Sequence, residues 1–206
     1  MRALISGGLG VNGSVLARLL VADGLRPVLM DNRLDLTLVG DIRDAVEIVI
    51  GEITDQRTLE AAVSDHGITH LAHLAALMPG PSEADPRLAG HVALGGMLNV
   101  LEVARTAGLE RVVFTSSKAV YGEISGEHAP PTLKPITEEH PLRPIDLYGS
   151  LKVGCEELCR YYRERYAVDV VALRFASIYG PGKAARHGSL SFYGQLIEDA
   201  RSGEPR

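Results

Sequence analysis

Short apolar runs alternate with longer stretches of helical periodicity along the whole sequence, and this alternation limits the folds open to the chain. The runs typical of strands lie near residues 2–6, 27–31, 46–50, 69–74, 110–115 and 168–174. The helical stretches lie near 11–23, 55–65, 88–107, 147–166 and 188–202. Strands that alternate with helices form a parallel sheet covered on both faces. We therefore predict a doubly wound α/β sheet with strand order 3-2-1-4-5-6, which binds its ligand at the carboxyl ends of the strands.

A glycine-rich turn joins the first apolar run to the first helix. Gly7, Gly10 and Gly13 follow one another at the spacing GxxGxxG. Glycines at this spacing allow a tight turn and let the backbone approach a pyrophosphate, while the helix N-terminus offers N–H groups to the phosphates. The turn indicates a dinucleotide site, with an ordinary turn in a glycine-rich chain as the alternative.

One domain is expected for a chain of this size. With 206 residues, 46% of them hydrophobic, the chain can form one well-developed α/β core but not two large ones. We predict a single Rossmann domain over residues 1–206, whose first helix carries Val11, Val15 and Leu19 on one apolar stripe. Segments near 77–87 and 122–146 are rich in proline and are predicted to be loops that face the substrate.

An acidic residue ends the second apolar run. Asp31 follows Gly13 by 18 residues, close to the separation expected for the carboxylate that holds the adenosine ribose. A 2′-phosphate there would meet a like charge, so Asp31 favours NAD over NADP. Arg33 is the alternative, because a guanidinium two residues further on would instead bind that phosphate.

A tyrosine and a lysine four residues apart supply the candidate chemistry. Tyr148 and Lys152 lie in a predicted helix, so the phenol and the ammonium share one face. A cation beside a phenol favours the phenolate and brings proton exchange with a hydroxyl closer to neutral pH. Ser117 ends a strand about thirty residues upstream and would complete the group.

These motifs, taken in order, resemble the short-chain dehydrogenase/reductase superfamily, and within it the extended branch of NAD-dependent epimerases and dehydratases. The resemblance covers nearly the whole chain. Its segments are Gly7–Gly13, Gly51–Asp55, His73–Ala76, Thr115–Gly122, Tyr148–Lys152 and Leu173–Gly182.

The resemblance implies a role for each site residue. Tyr148 would be the general acid and base, and Lys152 would lower the pKa of the phenol and bind the nicotinamide ribose. Ser117 would orient the reacting oxygen, with Ser116 as the alternative. The expected cofactor-binding residues are Gly7, Gly10, Val11, Asn12, Gly13, Asp31, Asn32, Glu52, Ile53, Leu74, Ala75, Ala76, Tyr148 and Lys152. The expected substrate-binding residues are Met78, Ser117, Lys118 and Ser177.

Departures from the family pattern narrow the reaction. The sugar-nucleotide dehydratases among the relatives have two acidic residues at the positions that Lys118 and Ala119 occupy here. Without these two carboxylates, the elimination of water lacks its acid and its base. Ala93 and Ser177 stand where relatives often have asparagine, which puts a nucleotide-sugar substrate in doubt. We expect an NAD-dependent oxidoreductase acting on a secondary alcohol of a sugar, sugar acid or similar molecule. A sugar-nucleotide epimerase and a non-catalytic dinucleotide-binding module are the alternatives.

Composition restricts the partners. A net charge of −5 argues against nucleic acid, and no apolar run approaches the length of a membrane span. The first strand follows Met1 and Arg2 at once, so we expect no signal peptide and a cytoplasmic protein. Cys155 and Cys159 are expected to be buried as small apolar side chains, and no metal site is expected.

The resemblance also suggests an assembly. The helices near 88–107 and 147–166 would pair with their symmetry mates in a homodimer. Their apolar faces at helical spacing are compatible with this and consist of Leu94, Met97, Leu98, Leu101, Leu151, Cys155, Leu158 and Tyr162. The C-terminal substrate-binding portion of extended-branch relatives is expected to be largely absent, which would leave an apolar surface uncovered.

Overall fold

A computed structural model describes residues 1–179 and 192–203. Six parallel strands form one sheet in the order β3-β2-β1-β4-β5-β6, which confirms the predicted architecture. The strands are β1 (Ala3–Ser6), β2 (Val28–Asp31), β3 (Glu47–Ile50), β4 (His70–His73), β5 (Arg111–Ser117) and β6 (Val170–Phe175). Because β1 pairs with β2 on one side and β4 on the other, the chain reverses its direction of travel across the sheet at this point.

Helices follow the strands as the periodicity predicts. They are α1 (Val11–Ala22), α2 (Gln56–Asp65), α3 (Pro79–Ala84), α4 (Pro86–Gly90), α5 (Gly96–Ala107), α6 (Leu147–Tyr166) and α7 (Phe192–Ser202). A π-helical turn, His91–Gly95, joins α4 to α5, so the predicted helix near 88–107 is helical throughout. Residues 188–191 of the last predicted helix lie outside the described residues. Within the described ranges, none of the helices has the length and apolarity needed to cross a bilayer.

Neighbouring strand residues supply the two sides of the core. Leu4 belongs to the cluster that contains buried residues of α2, α5 and α6, whereas Ile5 belongs to the cluster that contains Ala17 of α1. This alternation follows from the opposite directions of successive side chains in a strand. Cys155 and Cys159 are buried in the first cluster, as predicted.

Of the apolar stripe predicted for α1, only Val11 is buried. Val15 and Leu19 are 53% and 60% exposed, and the helix packs instead through a face that includes Gly13 and Ala17. Small residues let α1 lie close against the turn that precedes it, and this contact fixes which face is buried. Val15 and Leu19 line an apolar groove of about 510 Å³ beside β4–β6.

The segment near 77–87 is not the irregular loop that its prolines suggested. It contains α3 and the start of α4, and each of these helices has a proline in its first turn. Proline is favoured there because that N–H has no partner within the helix. The side chain of Asp85 caps α4 by accepting a hydrogen bond from the Leu88 N–H. The segment near 122–146 contains only one short 3₁₀ turn, Gly126–His128.

Close backbone packing explains the glycines after β1. Gly7 has φ of +71°, and a Cβ on it would lie 2.8 Å from the backbone nitrogen of Ala75. A Cβ on Gly13 would lie 2.3 Å from the Gly7 carbonyl oxygen. The turn, the start of α1 and the end of β4 can therefore meet only where side chains are absent.

Gly13→Ala should lower the free energy of unfolding by about 1–3 kcal/mol, the usual cost of overpacking. Gly90→Ala is the matched control, because Gly90 is helical and has open space around its Cβ position. That control should be neutral or stabilising by up to about 1 kcal/mol. Urea unfolding of both variants measures the difference, and equal stabilities would contradict the packing account.

Candidate active site

Two adjacent cavities lie at the carboxyl ends of the strands. One has a volume of about 240 Å³ and is bordered by the ends of β1, β2 and β4. The other has a volume of about 400 Å³ and is bordered by the ends of β5 and β6 and by α6. Leu74 and Ala76 line both cavities, so the two are continuous across the end of β4.

The smaller cavity brings together most of the predicted cofactor residues. Those that line it are Gly7, Gly10, Asp31, Asn32, Glu52, Ile53, Leu74, Ala75 and Ala76. Asn12 lines the larger cavity instead. Val11 and Gly13 line neither of the two, because Val11 is buried and Gly13 packs on the turn. Their contribution is therefore to hold the start of α1 in place.

The beginning of α1 suits an anion. Its N-cap residue is Gly10, which makes no side-chain capping bond, and the first turn holds no acidic residue. The first N–H groups of a helix have no partners within it and carry a partial positive charge. A pyrophosphate could therefore approach this backbone closely.

Asp31 contacts the turn and borders the smaller cavity. Its Oδ2 accepts a hydrogen bond from the Leu9 N–H at 3.1 Å, and its side chain borders the smaller cavity. Arg33 is 77% exposed, and its guanidinium lies 3.9 Å from the carboxylate of Asp35. A ribose diol suits this position better than a phosphate, because the carboxylate would repel a second negative charge.

The predicted catalytic side chains come from two elements. Tyr148 and Lys152 lie in α6, which starts at the N-cap Asp146, whose side chain accepts a hydrogen bond from the Gly149 N–H at 2.6 Å. Ser117 ends β5. All three line the larger cavity, and so do the predicted substrate residues Met78, Lys118 and Ser177.

Lys152 is held almost entirely inside the protein. It is 6% exposed, and its ammonium donates a hydrogen bond to the Thr115 carbonyl at 2.7 Å. The ammonium also lies 4.6 Å from the centre of the Phe114 ring. Burial lowers the pKa of Lys152 to about 8. Sequence reasoning missed both contacts, because the bond to Thr115 joins residues distant in the chain.

Burial and a neighbouring hydroxyl act in opposite directions on the pKa of Tyr148. Burial raises this pKa, and the side chain of Ser117 acts against that rise. Lys152 lies 5.5 Å from the centre of the Tyr148 ring, and its ammonium is bonded to Thr115. The expectation that Lys152 lowers the phenol pKa stays a prediction. Ser116, the alternative, is buried and bonded to Glu156.

A buried histidine next to the site was not predicted to take part in it. The Nδ1 atom of His73 lies 2.7 Å from the Ser6 hydroxyl, and its ring stacks on Phe114. Burial lowers the pKa of His73 to about 3, so the ring stays neutral at physiological pH. Phe175 and Ile178 also line the larger cavity and were missed, although Phe175 ends β6 and Ile178 follows it, at the edge of the sheet where ligands bind.

Comparison with known proteins identifies the family. A profile described as the NAD dependent epimerase/dehydratase family matches residues 3–206. The chain belongs to this family. The match agrees with the resemblance found from the motifs, and the family is NAD dependent, as the geometry around Asp31 favours.

Relatives within the family differ in the reaction named for them. The chain is 36% identical to D-erythronate dehydrogenase of Cupriavidus necator over 98% of its length and 63% of the relative. Among solved structures, it resembles UDP-glucose 4-epimerase of Thermus thermophilus in complex with NAD, at 32% identity and a TM-score of 0.86. It also resembles an L-threonine dehydrogenase of Cupriavidus necator, at 30% identity and a TM-score of 0.85. Both structural matches cover 100% of this chain and 64% of the other, so the chain spans less than two thirds of these proteins.

Asp31→Asn should weaken NAD binding by about 10–100-fold, as expected when hydrogen bonds to a charged group worth about 1–3 kcal/mol are lost. The amide can still accept from the Leu9 N–H, so the turn is preserved. Titration calorimetry with NAD and NADP should show that the preference for NAD narrows. Arg33→Ala is the control and should leave NAD binding unchanged. A wild-type preference for NADP that Arg33→Ala abolishes would mean that Arg33 governs this pocket.

Proposed function

We propose that the protein is an NAD-dependent oxidoreductase that transfers a hydride to or from a secondary alcohol of a sugar acid or similar polar molecule. The observation that carries the proposal is that Ser117, Tyr148 and Lys152 line one cavity, which is continuous with the cavity around Asp31. A proton-exchanging group and a dinucleotide site side by side are what alcohol oxidation requires.

Each residue has one task in this proposal. Ser117 hydrogen-bonds the substrate oxygen and Tyr148 together, and Tyr148 as phenolate takes the hydroxyl proton while the C–H bond breaks. Lys152 supplies a buried positive charge beside the phenolate and binds the nicotinamide ribose. NAD, when bound, accepts the two electrons and the hydrogen as hydride. In the reverse direction Tyr148 returns the proton to the oxygen.

The charge of the larger cavity favours an acid substrate. Among the described residues that line it, the ionised side chains are Lys118 and Lys152, and none is a carboxylate. Lys152 is bonded to Thr115, whereas Lys118 is exposed and makes neither a hydrogen bond nor an ion pair with another described residue. Lys118 directly follows Ser117, so a carboxylate close to the reacting carbon would meet this ammonium. The named substrates of the erythronate and threonine dehydrogenases are both acids.

A sugar-nucleotide epimerase is the second candidate, supported by the similarity to UDP-glucose 4-epimerase. It would use the same three residues but return the hydride to the same carbon, without net NADH. A non-catalytic dinucleotide-binding module is less well supported, because such a module needs no acid and base. Incubation with NAD and a panel of hydroxy acids separates the candidates, since only a dehydrogenase accumulates NADH.

The homodimer and the cytoplasmic location stay predictions. Half of the residues proposed for the pairing surface are not available to a partner. These residues are buried in the core of the chain itself and are Met97, Leu101, Cys155 and Tyr162. The exposed apolar residues that remain on this side include Leu98, which is 40% exposed. Sedimentation at micromolar concentration would show whether the remaining surface is sufficient for pairing.

Tyr148→Phe should lower kcat by about 10²–10⁴-fold, the usual effect of removing a positioned acid and base. NAD affinity should stay within about twofold of wild type, which titration calorimetry can check, because the ring and its packing are kept. Turnover close to that of the wild type would rule out Tyr148 as the proton-exchanging residue.

Lys118→Met should raise KM for a hydroxy acid about tenfold, the effect of losing one hydrogen bond to a charged group. The neutral amide of the same substrate is the control and should show little change. Steady-state kinetics on the pair of substrates measures the difference. Equal effects on acid and amide would show that Lys118 does not recognise the carboxylate.

A further inference from the structure

A partly buried ion pair joins α6, the helix of Tyr148 and Lys152, to β6. The Arg174 guanidinium donates from Nη2 to the Glu156 carboxylate at 2.7 Å, and from Nε to both of its oxygens at 3.0 and 3.2 Å. The two side chains are only 19% and 10% exposed. Neither borders the two cavities at the carboxyl ends of the strands. The pair therefore has no direct access to a substrate in the described site.

The remaining nitrogen of this guanidinium reaches two further segments. Nη1 of Arg174 donates to the Tyr121 hydroxyl at 2.9 Å and to the Glu138 carbonyl at 2.7 Å. The guanidinium also lies 5.0 Å from the centre of the Tyr121 ring. Arg174 of β6 thus forms hydrogen bonds with three other parts of the chain, namely α6, the 3₁₀ turn Lys118–Tyr121 and the long segment near 122–146.

Glu156 connects the pair to both catalytic elements. It lies four residues after Lys152, on the next turn of α6, and it accepts a hydrogen bond from the Ser116 hydroxyl. Ser116 pairs with Arg174 across the sheet, and Ser117 is the next residue of β5. The carboxylate of Glu156, a residue of α6, therefore links α6 to β5 through Ser116.

We propose that Glu156 and Arg174 are positioning residues, which hold Ser117 on β5 in register with Tyr148 and Lys152 on α6. The proposal rests on the proposed function, because it assigns the pair to the Ser117, Tyr148 and Lys152 site. A bidentate guanidinium–carboxylate pair fixes direction as well as distance, which a lysine cannot reproduce. The planar guanidinium of Arg174, with its two hydrogen bonds to one carboxylate, is thus the feature on which the alignment of the site depends.

The test compares the same substitution at two places on the same pair of strands. Arg174→Lys keeps the positive charge but removes the planar guanidinium that donates two hydrogen bonds to Glu156. Arg111→Lys is the matched control, because Arg111 of β5 binds Asp169 next to β6 through Nε and Nη2. That ion pair is exposed and lies at the opposite end of the strands from the site.

Arg174→Lys should lower kcat at least about tenfold, since a misplacement of 1 Å can cost up to about 100-fold. NAD affinity should stay within about twofold, because Asp31 and the glycine turn are untouched. Arg111→Lys should change neither quantity. A purely structural pair would instead lower the melting temperature and leave kcat per folded molecule unchanged, and that result would overturn the proposal.

A second readout needs no substrate. The ring carbon that bears the phenol oxygen of Tyr148 can be labelled with ¹³C and assigned by comparison with Tyr148→Phe. Because the side chain of Ser117 lowers the pKa of Tyr148, misalignment of β5 and α6 in Arg174→Lys should raise the titration midpoint, whereas Arg111→Lys should not. An unchanged midpoint together with unchanged kcat would refute the positioning role. Absence of NADH formation by the wild type, with the midpoint still shifted, would refute only the proposed function.

Discussion

The backbone of the turn after β1 lies directly against the backbone that leaves β4, with no side chain between them. A Cβ on Gly7 would lie 2.8 Å from the Ala75 nitrogen, and one on Gly13 would lie 2.3 Å from the Gly7 carbonyl oxygen. This contact sets the distance of α1 from the sheet and places Gly10, the N-cap of α1, at the smaller cavity. It also places Leu74 and Ala76 where they border both cavities. The smaller and the larger cavity adjoin because these backbones meet.

The sequence was sufficient for features that depend on local periodicity. The strand order follows from strands alternating with helices, and the shared cavity of Tyr148 and Lys152 follows from their spacing on one helix. The sequence was insufficient where contacts between residues far apart in the chain determine the position of a side chain. The glycine contact turns Val15 towards the surface, although its spacing suggested the core. The ammonium of Lys152 points to Thr115, a partner that no spacing on α6 could indicate.

The electrostatics of the catalytic cavity are shared among several groups. Burial raises the pKa of Tyr148 and lowers that of Lys152, so the site disfavours charge on both side chains. Ser117 acts against the first effect, and its position depends on where β5 ends relative to α6. The proton exchange that we propose for Tyr148 is therefore sensitive to the alignment of these two elements. This sensitivity gives the partly buried pair of Glu156 and Arg174 its proposed role.

If the two adjoining cavities form one site, as we propose, hydrogen passes directly from the substrate to the nicotinamide. A hydroxy acid that carries deuterium on its carbinol carbon tests this transfer. Mass spectrometry should find the deuterium on the NADH formed, and kcat should fall relative to the unlabelled substrate. NADH that forms without deuterium would show that the hydride comes from elsewhere and that the two cavities do not act as one site.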